Sequence, residues 1–158
     1  MNKQEEQEQY RKKRRFVAST SIYAFAMTYG ADYLKFEPSS AHKEMYSVFD
    51  STFQKRGRRV VEAAPRTFGK TTVSTIATSY AICFNKEKFI LICSNTAAQA
   101  QEKIEALRKF LTENPLISED FPELFGQIDH PVGFLEEPGG AGIDNRADIF
   151  LGDIAAGE

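Results

Sequence analysis

Glu62-Ala63-Ala64-Pro65-Arg66-Thr67-Phe68-Gly69-Lys70-Thr71-Thr72 is the stretch on which the reading of this chain turns. It ends in Gly-Lys-Thr, the core of a phosphate-binding loop. Before it stands an apolar run, Val60, Val61, Ala63 and Ala64, that predicts a strand over 58–64. After it, Val73 to Ala81 predicts a helix. Strand, loop and helix in that order are the setting such a loop requires. Gly69 lets the backbone come close to a phosphate, Lys70 brings a positive charge to it, and Thr71 offers a hydroxyl to Mg²⁺. The helix N-terminus adds free N–H groups and a favourable field. Ala64 stands where the usual pattern begins with glycine.

Working outward, 158 residues are enough for one domain with a real core. With 42% hydrophobic and 27% charged residues, the composition is that of a globular protein. A formal net charge of −2 excludes a general polycation, so any nucleic-acid contact has to be local. Basic residues gather at 11–15 (Arg-Lys-Lys-Arg-Arg) and at 55–59 (Lys-Arg-Gly-Arg-Arg), and the first run reads as a solvated face. Cys83 and Cys93 read as small buried residues, and His42 and His130 are too few for a histidine metal cluster. The opening Met-Asn-Lys-Gln-Glu-Glu lacks the pattern of a secretory signal, and no apolar run is long enough to span a bilayer. No membrane association and a cytoplasmic location are therefore expected.

Residues 2 to about 30 read as helical with Gly30 as the stop, and Ser39 or Ser40 caps a helix whose Met45, Val48 and Phe49 face the core. Gly57 breaks the chain before the strand at 58–64. Ile76, Ala77, Tyr80, Ala81 and Phe84 form a helical face that would lie on a sheet. Phe89 to Cys93 is a continuous apolar run, the mark of a parallel strand covered on both faces. Ser94-Asn95-Thr96 then caps a helix over about 97–113, with Ala100, Ile104, Leu107 and Leu111 as its buried stripe. The order predicts a right-handed βαβ crossover. Beyond Asn114, Pro115, Pro122, Pro131 and Pro138 interrupt the pattern, Gly139 to Gly142 reads as a loop, and Ile149-Phe150-Leu151 is a last apolar run.

These motifs, Ala63 to Thr72 first among them, resemble the large terminase subunits of tailed bacteriophages, the ATP-driven motors that package DNA into capsids. His42 to Met45 is similar to the helix before the family's first strand. Phe89 to Thr96 is similar to its second strand, and Asn114 to Ile117 and Asp120 to Leu124 to its Asn-Pro-x-Leu and Asp-Phe-Pro segments. The likeness covers roughly residues 38 to 126. It implies an α/β fold: a P-loop NTPase-type three-layer sandwich with a mostly parallel, incomplete sheet, preceded by an N-terminal helical segment. The expected division is 1–36 for that segment and 37–158 for a partial P-loop ATPase domain, with the family's nuclease domain absent. The implied binding residues for ATP and Mg²⁺ are Ala64, Pro65, Arg66, Thr67, Phe68, Gly69, Lys70, Thr71 and Thr72. Arg66 would sense the γ-phosphate through its planar fork, and Thr71 and Asp153 would hold the metal. The implied partners are double-stranded DNA, held weakly by this chain alone, the portal and the small terminase subunit, with a homo-oligomeric ring, all in the cytoplasm of a bacterial host.

Departures from that pattern lower the expected activity. Arg146 to Ile154 loosely resembles the strand that ends in paired acids, yet Ile154 stands in place of the catalytic acid after Asp153. A poor ATPase is therefore expected. The loop also resembles that of DEAD-box-like helicases, although a Thr-Gly pair usually fills the positions of Arg66 and Thr67, and the Asp-Glu-Ala-Asp strand is missing. A third reading is a non-catalytic, nucleotide-binding remnant of a split or decayed gene.

Overall fold

Most apolar positions of the chain recur at helical spacing, and the fold follows them. The structure, a computed structural model, describes residues 2–34, 36–55, 57–87, 89–125 and the backbone of 147–150. The helices are α1 (Lys3–Ser19), α2 (Ile22–Tyr29), α3 (Ser40–Gln54), α4 (Lys70–Cys83), α5 (Ala97–Glu113) and α6 (Pro115–Asp120), followed by a 3₁₀ turn at Pro122–Leu124. Two short strands, β1 (Leu91–Ser94) and β2 (Ala147–Phe150), complete the order.

Local chemistry sets the helix ends. The Ser21 hydroxyl accepts from the Ala24 N–H and starts α2, which is why the first helical stretch breaks in two. Gly30 closes α2. Ser39 caps α3, Thr96 accepts from Gln99 at the start of α5, and the Asn114 side chain accepts from Leu116 and Ile117 at the start of α6.

Helix α4 is central. Its Val73, Ile76, Ala77, Tyr80 and Ala81 are buried, and α2, α3 and α5 pack around it. An aromatic cluster joins α2 and α4 to the end of α6: Phe25 meets Tyr29, Tyr80 and Phe84 at ring distances of 4.9, 5.7 and 6.0 Å, and Phe84 meets Phe121 edge-on at 5.3 Å. Such ring pairs contribute roughly 0.5–1.5 kcal/mol each beyond their buried area.

The expected three-layer α/β sandwich is not what forms. Residues 58–64 make no strand, and Val61 is 93% exposed. A strand needs a neighbour for its ladder, and this run, with Arg58 and Arg59 at one end and Pro65 at the other, has none among the described residues. The face of α4 expected to lie on a sheet lies on other helices. β1 and β2 pair antiparallel, with Leu91 opposite Phe150 and Ser94 opposite Ala147, and with no strand at 58–64 the expected βαβ crossover into β1 does not form. β1 alternates between exposed and half-buried positions and is not covered on both faces. Cys93, expected to be buried, is exposed, whereas Cys83 is buried. The fold is a helical assembly with a two-stranded antiparallel ribbon beside α5.

Candidate functional site: an aromatic cleft beside the Gly69 turn

The quoted loop still builds something specific. Gly69 is the N-cap of α4 with φ +77°, and Thr67 also adopts a left-handed conformation with φ +66°. Glycine accepts this geometry without strain, whereas threonine does so at a cost. The turn folds over itself: the Lys70 ammonium donates to the carbonyls of Ala64 and Pro65, the latter at 2.6 Å. Arg66 and Thr71 point to solvent, and Pro65 is exposed.

His42, from the first turn of α3, fastens this loop to the helical body. Its Nε2 lies 2.9 Å from the Phe68 carbonyl. A carbonyl only accepts, so Nε2 carries the proton. Nδ1 then accepts from Ser39, whose N–H is 3.2 Å away and whose hydroxyl is 2.7 Å away. The imidazole also stacks on the Phe68 ring, with centroids 4.7 Å apart and planes 13° apart. Together they make a stacked pair.

Both residues line a cleft of about 390 Å³ between residues 33, 34 and 36–38, α3 and the start of α4. Tyr33, Leu34 and Phe36 also line it, with Glu37 as the charged group among the lining residues. Phe36 is 86% exposed, a large apolar ring held at the rim. Tyr46 lines the cleft from behind; its buried hydroxyl has no hydrogen-bond partner among the described residues, and burial pushes its pKa up to about 12.

Of the nine binding residues expected from the sequence, Thr67, Phe68, Gly69 and Thr72 line this cleft, while Ala64, Pro65, Arg66, Lys70 and Thr71 do not. Asp153 lies outside the described residues, as do Ile154 and Gly139 to Gly142. The sequence reading missed Tyr33, Phe36, His42 and Tyr46. Their signal was present in part, in an aromatic directly before Glu37-Pro38 and a histidine three residues after the capping Ser39.

The chain matches no known protein family, no curated protein and no solved structure. Together with the fold, this overturns the terminase reading. A Walker A P-loop works at the edge of a parallel sheet, with a neighbouring strand delivering the metal-side acid. Here the first strand is absent, and no grouping of three or more His, Cys, Asp or Glu residues suited to a metal exists among the described residues. The expectations of an ATPase, of ATP and Mg²⁺ as cofactors, and of a viral genome-packaging motor are corrected accordingly. The helicase and nucleotide-binding remnant alternatives fall on the same ground.

Proposed function

We propose that the chain is a non-enzymatic binding module whose aromatic cleft takes a small planar molecule. The carrying observation is the concentration of aromatic side chains, Tyr33, Phe36, His42, Tyr46 and Phe68, among the residues lining a space of about 390 Å³. That volume falls within the range of small-molecule sites, which are commonly apolar and aromatic. It suits a two-ring compound and is too small for a helix. Thr72 and Thr67, whose hydroxyl donates to the Arg66 carbonyl, are polar residues of its lining. Quinoline is a suitable probe, titrated while amide shifts of Phe68, Thr72 and Val73 are followed by NMR. Saturable shifts confined to the cleft, lost in Phe68→Ala, support the reading. Shifts scattered over the surface, or unaltered in Phe68→Ala, refute it.

A second reading concerns double-stranded DNA. Lys55, Arg58 and Arg59 are exposed and pair with no carboxylate among the described residues. They could hold phosphates without reading sequence. Weak binding is expected, with a log–log salt slope of roughly −3 at most for three phosphate contacts. Arg58→Ala with Arg59→Ala should flatten that slope. An unchanged slope excludes this segment.

A further inference from the structure

Helix α1 docks through only half of its length. Ala18 is buried and Arg11, Arg14 and Arg15 are partly covered, a face repeating at three- and four-residue spacing, while every residue from 2 to 10 is exposed. Eight residues of helix thus extend beyond the body. A free helix of that length is marginal in water. The Asn2–Glu5 capping box and the Glu8–Lys12 ion pair support it only modestly.

The outward face carries a second pattern. Lys3, Glu6, Tyr10, Lys13 and Val17 recur at alternating three- and four-residue steps, the seam of a helix pair. Tyr10 is 67% exposed, Phe16 beside the seam 72% and Val17 48%, so three large apolar side chains of one helix are left uncovered. Lys3, Glu6 and Lys13 have no ion-pair partner among the described residues, and the Arg14 guanidinium lies 5.8 Å from the centre of the Tyr10 ring.

We infer that this seam pairs with the same seam of a second copy, the two α1 helices running antiparallel. Charge decides the occupant and the direction. A two-fold axis near Tyr10 sets Glu6 of one copy beside Lys13 of the other, twice, and brings the tyrosines together. A parallel pair would set Glu6 on Glu6, Lys13 on Lys13 and Lys3 on Lys3. The seam is therefore complementary to itself in one orientation, as an isologous two-fold contact demands. Lys3 then lies along Val17 and Phe16 of the other copy, its aliphatic stem covering them. With one helix per copy the dimer is weak, with a dissociation constant on the order of 100 µM.

Light scattering and sedimentation of the full chain from about 10 µM to about 1 mM test this. The wild type should pass from monomer to dimer over that range. Glu6→Lys places lysine on lysine and Lys13→Glu places glutamate on glutamate, so each alone should weaken the dimer about tenfold. Mixing the two variants should restore it, and so should the double variant Glu6→Lys/Lys13→Glu. Tyr10→Ser should abolish it. Both charge changes are on exposed positions, and circular dichroism establishes that the helix content is retained. A wild type that stays monomeric throughout, or a dimer indifferent to both single reversals, overturns the inference. A dimer weakened by each reversal but not restored in the mixture overturns the antiparallel arrangement.

Discussion

Asp120→Ala should remove a large part of the stability of this fold. Asp120 is fully buried at the end of α6, and side chains of α1 and α2 converge on it. Arg14 of α1 donates to both carboxylate oxygens through Nε and Nη2, each at 2.5 Å, and the Tyr29 hydroxyl of α2 donates at 2.6 Å. Arg15 donates to the Asp120 carbonyl at 2.9 Å and lies 4.4 Å from the centre of the Phe121 ring. Hydrogen bonding to Asp120 raises the pKa of Arg14 further above its usual value, while burial, followed by the bond to Asp120, raises that of Tyr29. Removing one partner of a buried ion pair costs about 3–5 kcal/mol, because the other charge is left uncompensated. Arg14 keeps a bond to half-exposed Glu119, so the lower part of that range applies to the pair. The stranded Tyr29 hydroxyl adds about 1–3 kcal/mol. A loss of about 4 kcal/mol is a large share of the roughly 5–15 kcal/mol of a typical domain. It should lower Tm by about 10–15 °C at this size. Thermal and urea unfolding would measure it, with Glu119→Ala and Glu123→Ala as controls costing less than about 1 kcal/mol each, since both are half-exposed. A cost below about 1 kcal/mol for Asp120→Ala would show that the clasp does not hold α1 and α2 to α6.

Three further outcomes are expected. Tyr46→Phe should be neutral or stabilising by about 1 kcal/mol, because it removes a buried hydroxyl that has no partner among the described residues; a Tm lowered by several degrees would mean that the hydroxyl is satisfied after all. Gly69→Ala should cost about 1–2 kcal/mol through the left-handed φ of +77° alone, since the new Cβ would meet His42 Nε2 at an ordinary 3.5 Å; unchanged urea unfolding would show that the turn relaxes. Asp50 accepts from the Ile22 N–H at 2.9 Å, yet burial raises its pKa from 3.8. The folded state thus binds its proton more tightly than the unfolded state does, so this carboxyl's ionisation costs stability at neutral pH and that cost disappears as the pH falls toward 4. Wild type should therefore gain Tm relative to Asp50→Asn on acidification, and a constant difference from pH 7 to 4 would contradict this.

What was legible in the sequence divides along local and non-local lines. The helix over about 97–113 with its Ala100, Ile104, Leu107 and Leu111 stripe lies where periodicity put it, and all four are buried. Capping by Thr96 and closure at Gly30 were equally readable, because each depends on neighbours a few residues away. The strand over 58–64 failed for the opposite reason. An apolar run says that a segment could pair, and whether it does depends on strands elsewhere in the chain. The loop at 64–72 misled in the same way, since a tight glycine turn before a helix is built by short-range geometry, while phosphate chemistry needs a sheet and an acid supplied from afar. The run at 11–15 shows the remaining kind of error. It reads as solvated charge, yet Arg11, Arg14 and Arg15 share the inward stripe with Ala18, and the three arginines reach acids more than a hundred residues away. Its spacing was the clue: the arginines keep the period of the core-facing positions, while Lys12 and Lys13 do not. In a helical protein, then, the side on which a charge falls says more about its work than the density of charge around it. Arginines on the inward side clasp Asp120, whereas Lys13, outside that stripe, has no ion-pair partner among the described residues.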